Sequence, residues 1–357
     1  MINETLQTLI DRVAVLDTTA MAACRTRIDN LTKPLGSLHM LEFMAERLAG
    51  IQGNEKPGEL KKAVVIFAAD HAVNGGENHT QGKESLEKAK RIAAGKAPVN
   101  AAAHQVKAGV LLVDMGLQQP LEETTGVISH KVMKGSRFFG KEDAMNSRET
   151  MDSILFGARL AQQLAEEGYQ AVGLGNVGER AILSALAITA AFFRDKLQEM
   201  PAQIEGKEKI EQLAKLFASR SWNRKDPLGL LQIAGAPDIA AMTGFVLGAA
   251  AHRMVIVFDN AVTGAAVLIA RTLCHRIDSY VYPSVAYNEP VHQMQMNRMG
   301  LKPYLYYDMD AEEGLGSALG LSLLDAAVHM LNDMKTFGEA AVAVAEDGPG
   351  KERQTGI

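Results

Sequence analysis

The sequence contains little cysteine, no long apolar run and no excess of charge of either sign. Its 357 residues include two cysteines, Cys24 and Cys274, which are too few for a disulfide framework and lack metal-site spacing. The 37 basic residues nearly balance the 42 acidic ones, so we expect no nucleic-acid partner, which would need a basic surface. The longest apolar run, residues 239–251, is too short to span a bilayer. With no signal-peptide pattern at the N-terminus, we expect a cytoplasmic protein without a membrane partner.

Two common catalytic motifs are also missing. The sequence has no H-E-x-x-H, which would place two histidines beside zinc on a helix. It has no G-x-S-x-G either, which would place a nucleophilic serine on a tight turn between a strand and a helix. We therefore predict no metal centre, and a serine hydrolase has no support.

Short apolar runs that alternate with helical periodicity predict the fold. Five runs are continuous enough to be strands buried on both faces, as in a parallel sheet: residues 63–69, 110–114, 171–174, 254–259 and 279–283. Apolar residues at helical spacing separate these runs, at residues 84–106, 149–168, 179–198, 238–251 and 261–274. The alternation predicts an α/β fold with a doubly wound, mainly parallel sheet. Ligands bind such sheets at the carboxyl ends of the strands.

Both ends of the chain are predicted to be helical. Apolar residues recur at helical spacing early and late in the sequence, over residues 3–29, 38–52, 316–334 and 336–345. Residues 199–228 form an excursion from this pattern, with a Lys/Glu-rich helix predicted over 205–219. The tail, residues 346–357, is predicted to be disordered.

One glycine-rich stretch has the pattern of a phosphate-binding loop. Gly173, Gly175 and Gly178 form G-x-G-x-x-G after a predicted strand and before a predicted helix. Glycines let backbone N–H groups approach a phosphate at the positive end of a helix. A dinucleotide site would need another strand ending in an acidic residue about 20 residues later, and none is predicted there. A mononucleotide phosphate site and a plain tight turn both stay open.

Acidic and histidine residues in two loops are further candidates. Asp310, Glu312 and Glu313 precede a Gly-x-Gly turn. A buried carboxylate of raised pKa there could be a general base, or the acids could complement the N-terminus of the next helix. Glu289 and His292 lie three residues apart, and could be ligands, form an acid–base pair or be structural.

Three aspartates directly follow or end predicted strands: Asp70, Asp114 and Asp259. Because they are expected at the ligand-binding edge of the sheet, their carboxylates could accept hydrogen bonds from ribose hydroxyls. The same side chains could instead cap the helices that follow. The sequence leaves both interpretations open.

A series of short motifs runs in order along the chain. They are K-P-L-G-S-L at 33–38, A-A-D-H at 68–71, V-D-M-G at 113–116, D-P-L at 226–228, E-P-V-H at 289–292 and E-G-L-G at 313–316. The set resembles the nicotinate-nucleotide:dimethylbenzimidazole phosphoribosyltransferase family, whose motifs are K-P-x-G-S-L, A-A-D-H-G, V-D-x-G, D-P-L, E-P-G-H and E-G-T-G. Together these motifs span almost the whole chain.

The resemblance implies an architecture and an activity. A small helical domain, residues 1–58 with 316–345, would accompany an α/β nucleotide-binding domain, residues 59–315. A dimer would transfer 5-phosphoribose from nicotinate mononucleotide to dimethylbenzimidazole or another aromatic lower-ligand base of cobamides. Nicotinate and an α-riboside phosphate would be the products. Glu313 would be the general base that removes the proton of the incoming base, and the scheme needs no metal or cofactor.

The resemblance also implies substrate-binding residues in several loops: Lys33, Thr80, Lys88, Gly173, Gly175, Asn176, Gly178, Arg180, Asp259, Ser284, Gly314 and Gly316. The chain departs from the family in the phosphate loop, G-E-M-G-I-G-N-T-T, where two threonines become Arg180 and Ala181. Glu179 in this loop would repel a phosphate, whereas Arg180 would be a cationic donor. The base-pocket segment, residues 78–83, differs as well.

These departures leave three hypotheses about function. The first is an active transferase whose acceptor is dimethylbenzimidazole, a phenol or another aromatic molecule. The second is a weakly active or inactive subunit that forms a heterodimer with a paralogue. The third is an NAD(P)-dependent oxidoreductase, which the incomplete dinucleotide motif disfavours.

Overall fold

A six-stranded parallel sheet forms the centre of the protein. The computed structural model describes residues 4–75, 80–122, 126–193, 222–286, 289–306, 313–344 and 354. The strands in chain order are β1 Lys62–Ala69, β2 Ala108–Gly116, β3 Val127–Ser129, β4 Ala171–Val177, β5 Val255–Phe258 and β6 Val281–Pro283. They lie side by side in the order β3-β2-β1-β4-β5-β6, and every pair is parallel. The predicted α/β fold with a parallel sheet is confirmed.

The order of the strands places a switch point at the centre of the sheet. From β1 the chain continues to β2 and β3 on one side, and then returns to β4 on the other side of β1. Both central strands are buried at every residue, which explains why their sequences are continuously apolar rather than alternating. Ligands of open α/β sheets bind where the strand order reverses, so the carboxyl ends of β1 and β4 are the place to examine.

Helices cover both faces of the sheet and form the two ends of the chain. In order they are α1 Glu4–Arg12, α2 Thr18–Asn30, α3 Met40–Gln52, α4 Lys83–Ala93, α5 Pro98–Gln105, α6 Ser147–Glu166, α7 Ala181–Phe192, α8 Pro227–Ala234, α9 Pro237–Ala251, α10 Ala261–Leu273, α11 Pro290–Met299, α12 Leu315–Asp333 and α13 Phe337–Ala340. A 3₁₀ helix, His275–Ser279, precedes β6, and a small sheet pairs β7 Val285–Ala286 with β8 Leu305–Tyr306. The helix predicted over 205–219 and all of the predicted disordered tail except residue 354 lie outside the described residues.

Two predicted helices are each divided in the structure. The first, over 3–29, is interrupted because Asp17 caps α2 and accepts hydrogen bonds from the N–H groups of Thr19 and Ala20, both at 2.9 Å. The second, over 84–106, is interrupted at Gly95, whose φ of +71° is left-handed, and α5 restarts with Pro98. Strand β3 and the β7–β8 pair, with two or three residues a strand, are too short for a pattern in the sequence. Helices α8 and α11 were not predicted either.

The two ends of the chain contact each other. Leu31 and Thr336 form an isolated antiparallel bridge, and Arg27 donates hydrogen bonds to the carbonyl of Leu331 at 3.1 Å and to Glu339 at 3.2 Å. Helix α12 packs against α3 as well as against β4 and β5. Residues from both ends therefore lie together beside the sheet, while the domain boundaries stay a prediction.

Helix α12 is also the one described helix that is long and apolar enough to cross a membrane, judged by length and composition. Within this protein, 56% of the most apolar stretch of the helix is buried. Its first residues contact the sheet, because Ser317 donates hydrogen bonds to carbonyl groups of β4 and β5. The helix is therefore part of the packing that shapes the strand-end site.

Candidate active site

The glycine-rich motif lies inside β4 rather than after it. Gly173 and Gly175 are strand residues, and the turn begins only at Gly178. A Cβ atom on Gly175 would lie 2.8 Å from the carbonyl oxygen of Glu313, and one on Gly178 would lie 1.7 Å from that of Ala69. These distances are too short for any side chain, so the glycines allow close backbone packing. The loop predicted around Gly175 was wrong in position, because contacts from distant residues extend the strand.

The start of α12 is fixed across the ends of β4 and β5. Gly314 is the N-cap, with a left-handed φ of 93°, and Gly316 follows in the buried first turn. The N–H of Ser317 donates to Asp259 Oδ2 at 3.2 Å, and its hydroxyl donates to the carbonyl of Leu174 at 2.7 Å. Asp259 therefore caps this distant helix rather than the helix that follows it, which neither interpretation of the sequence anticipated.

Glu313 lies directly before this fixed turn, at the carboxyl end of β4. Its side chain is partly exposed, and its backbone is close to Gly175. Within the described part of the chain, its carboxylate forms no hydrogen bond or ion pair, so it is available to a bound molecule. The other two acids of the predicted turn, Asp310 and Glu312, lie outside the described residues.

Two more predicted substrate-binding residues lie beside this turn and are buried. Asn176, the residue after Gly175, accepts a hydrogen bond from the amide of Asn260 at 2.8 Å. Ser284 follows β6, and its hydroxyl donates to the carbonyl of Phe258 at 3.2 Å. The ends of β4, β5 and β6 thus bring together eight of the thirteen predicted site residues: Gly173, Gly175, Asn176, Asp259, Ser284, Glu313, Gly314 and Gly316.

A cavity of about 380 Å³ lies at the switch point between β1 and β4. It contains four further predicted site residues, Thr80, Lys88, Gly178 and Arg180, together with Glu84, Ser85 and Glu179. Among the described residues, the ammonium group of Lys88 has no acidic partner. The cavity therefore offers a cation that forms no ion pair with the described part of the chain.

Asp70 holds the walls of this cavity together. Its Oδ1 accepts hydrogen bonds from the hydroxyl of Ser85 at 2.5 Å and from the N–H of Glu179 at 3.0 Å. Its Oδ2 accepts from the N–H of Gln118 at 2.8 Å. The carboxylate thus joins the loops after β1, β2 and β4, and this contact supports a structural role over ribose binding.

The carboxylate of Glu179 is also engaged by protein donors. It accepts hydrogen bonds from the N–H of Thr80 at 3.1 Å, from the Thr80 hydroxyl and from the N–H of Gly82 at 3.0 Å. The sequence predicts that this charge repels a phosphate. The donors on Thr80 and Gly82, the latter 97 residues away in sequence, could not be recognised from the local pattern. The negative charge is partly compensated by these three donors.

Three residues without glycine's freedom have left-handed backbones around the cavity. They are Ala72 with φ of 51°, Gln81 with φ of 56° and Arg180 with φ of 60°. Each such conformation costs about 1 kcal/mol or more, so the surrounding contacts must hold it. At Arg180 the guanidinium Nη1 donates to the carbonyls of Ala72 at 2.9 Å and Gly75 at 3.3 Å.

His71, the last residue of the A-A-D-H motif, is a buried connector, a role that the sequence did not assign. Its Nδ1 lies 2.9 Å from the hydroxyl of Ser184, and its Nε2 lies 3.1 Å from Asp238 Oδ2. The three side chains form a Ser–His–Asp chain, but all are 1% exposed or less, so no substrate reaches the serine. They attach the end of β1 to α7 and α9. The A-A-D-H motif was the available signal, although nothing local identified the two partners.

The remaining candidates lie apart from these clusters. The ammonium of Lys33 pairs with the buried carboxylate of Glu42 at 2.7 Å, beside α3, and no described contact joins it to the strand-end loops. Asp114 pairs with Lys131 at 3.0 Å and accepts a hydrogen bond from the N–H of Leu117 at 2.9 Å. Both contacts hold protein segments in place, so a binding role for Lys33 stays a prediction.

Glu289 and His292 do not form an acid–base pair. The carboxylate of Glu289 caps α11, accepting from the N–H groups of Val291 at 2.9 Å and His292 at 2.7 Å, and burial raises its pKa. Burial lowers the pKa of His292 to about 4, so this imidazole is neutral at physiological pH. No group of three or more His, Cys, Asp or Glu side chains in the described ranges is arranged to hold a metal ion.

Comparisons with known proteins agree with this fold. A phosphoribosyltransferase family model matches residues 13–342. A nicotinate-nucleotide–dimethylbenzimidazole phosphoribosyltransferase from Geobacter sp. strain M21 is 36% identical over 95% of this chain and 99% of its own length. The relative of the same name from Dehalococcoides mccartyi strain BAV1 is 30% identical over 95% of this chain and 99% of its own.

A solved structure extends the likeness to three dimensions. The crystal structure of the corresponding enzyme from Thermus thermophilus superposes with a TM-score of 0.85 at 29% identity, and the match covers 92% of this chain and all of that one. The chain belongs to the nicotinate-nucleotide:dimethylbenzimidazole phosphoribosyltransferase family. The resemblance inferred from the ordered motifs is confirmed, and the oxidoreductase hypothesis gains no support.

Proposed function

We propose that the protein transfers 5-phosphoribose from nicotinate mononucleotide to dimethylbenzimidazole or a related aromatic acceptor, in cobalamin biosynthesis. The named activity of its relatives supports this proposal. The observation that carries it is the position of Glu313, whose carboxylate lies at the carboxyl end of β4 without a described protein partner. A general base needs such freedom, because it must accept a proton from the substrate rather than from the protein.

In the proposed reaction, a ring nitrogen of the acceptor attacks C1′ of the ribose. Glu313 takes the proton of the acceptor's ring N–H group. The bond between C1′ and nicotinate breaks, and its electron pair returns to the pyridine nitrogen, which loses its positive charge. Attack from the opposite face converts a β-riboside into an α-riboside. The ends of β4 and α12 position the carboxylate, because Gly314 and Ser317 fix the turn beside it.

The donor is proposed to bind along the carboxyl edge of the sheet. Its phosphate would be held in the cavity at the switch point, where Lys88 supplies a charge that no described acid neutralises. Asn176 and the backbone around Gly314 lie between this cavity and β5, in the region proposed for the ribose. A charged hydrogen bond to phosphate is about twice as strong as a neutral one, so Lys88 would contribute mainly to affinity.

The test is release of nicotinate by the purified chain alone. Nicotinate mononucleotide is supplied with dimethylbenzimidazole in one reaction and phenol in another, and products are separated by chromatography. We expect release that depends on an acceptor, and a loss of at least about 100-fold in kcat for Glu313→Gln. Glu87→Gln, which alters an exposed glutamate paired with Lys90, is the matched control. Retained turnover in Glu313→Gln would reject Glu313 as the base.

A subunit that needs a paralogue is the second candidate function. It is favoured by the turn after β4, where Glu179 and Arg180 stand in place of residues with which the family binds phosphate. If the folded chain releases no nicotinate with either acceptor, that result supports the partner-subunit hypothesis over the active enzyme. We propose that the protein is cytoplasmic and dimeric in both cases. It would be a homodimer as the active enzyme and a heterodimer as the partner subunit, and its mass in solution tests the oligomeric state.

A further inference from the structure

Two adjacent residues after β4 contact both described flanks of the segment that follows β1. Glu179 accepts hydrogen bonds from the N–H groups of Thr80 and Gly82 and from the Thr80 hydroxyl. Arg180 donates to the carbonyls of Ala72 and Gly75. The acid thus meets donors on one flank, and the guanidinium meets acceptors on the other.

The backbone of the same turn is attached to the end of β1. The N–H of Glu179 donates to Asp70 Oδ1 at 3.0 Å, and its carbonyl accepts from the N–H of His71 at 3.0 Å. Arg180 has a left-handed backbone with φ of 60°, a conformation that a non-glycine residue keeps only when its surroundings impose it. The turn is therefore held in one arrangement from which its two side chains reach opposite flanks.

These contacts line the cavity at the switch point. Thr80, Gly178, Glu179 and Arg180 are all among its walls, and so is Lys88, whose ammonium has no described ion-pair partner. The carboxylate of Glu179 is engaged by protein N–H and hydroxyl groups, which shields a bound anion from its charge. Lys88 is then the basic wall residue that forms no described ion pair, while Glu84, one turn earlier on α4, is an acidic wall residue that forms none either.

We propose that Glu179 and Arg180 are positioning residues that together clamp the two flanks, residues 72–75 and 80–82, around this cavity and so set its affinity for the donor substrate. Lys88, by contrast, binds the anionic group of that substrate directly. The identity of the ligand rests on the proposed function. The contacts that form the clamp do not depend on it. Glu179 and Arg180 differ from the residues of the family's phosphate loop at these positions.

Hydrogen exchange of the full-length protein without ligand tests the contacts themselves. Glu179→Gln keeps the size of the side chain but removes its charge and one acceptor oxygen, and Thr80→Val removes the hydroxyl alone. We expect amide exchange at Thr80 and Gly82 to be at least tenfold faster in Glu179→Gln, with β1 and β4 unchanged. Lys88→Ala and the surface variant Glu87→Gln should leave exchange at both amides as in the parent. Unchanged exchange in Glu179→Gln would overturn the clamp.

Steady-state kinetics test its effect on affinity. We expect Glu179→Gln and Arg180→Gln to raise KM for nicotinate mononucleotide at least fivefold while kcat stays within twofold, because the chemistry at Glu313 is not altered. Lys88→Ala should also raise KM, but without faster exchange. A rise in KM for Glu179→Gln with unchanged exchange would overturn the clamp, and so would faster exchange with an unchanged KM.

The two proposals fail separately. If the parent protein neither binds nor turns over nicotinate mononucleotide, the proposed function is rejected, while exchange at Thr80 and Gly82 still decides whether Glu179 holds the flank. Thr80→Val distinguishes a local effect from general unfolding, since it leaves the Glu179 charge in place. We expect intermediate exchange at Gly82 in that variant, and exchange as fast as in globally destabilised protein would contradict a local clamp.

Discussion

His292 should make the protein less stable as the pH falls below 7. The imidazole is 1% exposed and lies edge-on to Phe258, with ring centroids 6.1 Å apart. Burial disfavours its charged form and lowers its pKa from 6.5 to about 4. The unfolded chain therefore takes up a proton at a pH where the folded chain does not, and this uptake favours unfolding.

The size of the effect follows from the two pKa values. With 6.5 in the unfolded chain and about 4 in the folded one, the free energy of unfolding should fall by about 2 kcal/mol between pH 8 and pH 5. At and below pH 4 the loss should approach about 3 kcal/mol. The stabilisation is thus complete above pH 6.5 and is lost progressively on acidification.

Urea unfolding at several pH values measures this difference. His292→Phe replaces the imidazole with an aromatic ring that does not titrate, and it should unfold with a smaller dependence on pH than the parent by about 2 kcal/mol over the same range. Glu289 contacts this helix turn, and its raised pKa acts in the opposite direction, but it is present in both proteins and cancels. Equal pH dependence in the two proteins would show that His292 is not buried as a neutral group.

Close contacts give three further predictions. Gly175→Ala places a methyl group 2.8 Å from the carbonyl oxygen of Glu313 and should displace the turn that carries the proposed base. We therefore expect kcat to fall while the protein stays folded at the assay temperature, and an unchanged kcat would contradict this placement of the base. Gly244→Ala meets a backbone oxygen of α6 at 1.8 Å and should lower stability by about 1–3 kcal/mol or more, whereas Gly58→Ala, which meets open space, should not. Lys33→Met removes the nearer of two cations beside the buried Glu42 carboxylate, which keeps Arg25 at 3.7 Å and the N–H of Leu38 at 3.1 Å. It should therefore cost about 1–3 kcal/mol, with little effect on KM if the role of Lys33 is structural.

The sequence predicts the sheet well because burial leaves a simple pattern. Residues of β1 and β4 are covered on both faces, so their apolar runs are continuous and can be recognised without knowledge of their partners. Strand β3 has three residues, which is too short for such a pattern. The division between α1 and α2 depends on the cap at Asp17, a local signal that the apolar periodicity on both sides concealed.

The site is less predictable because its contacts join distant residues. The pattern of Gly173, Gly175 and Gly178 predicts a phosphate loop, but two of these glycines lie in a strand and face the start of α12. Glu179 lies 97 residues from Gly82, and no local pattern reports that contact. Motifs locate the residues that matter, while their roles depend on partners that only the folded chain supplies.

The hydrogen bonds at the strand ends also separate the acids that hold the fold from the one proposed to act on a substrate. Asp70, Asp114, Asp259 and Glu179 each accept hydrogen bonds from protein donors, and these bonds hold protein segments together. Among the acids of this edge that the structure describes, Glu313 at the start of α12 and Glu84 on α4 have carboxylates without such a donor. Protonation of a carboxylate weakens the hydrogen bonds that it accepts from the protein, and the loss of such a bond to a charged group costs about 1–3 kcal/mol. Freedom from protein donors, together with a position beside Gly175 at the end of β4, is therefore the physical reason to assign the base to Glu313 rather than to the other acids.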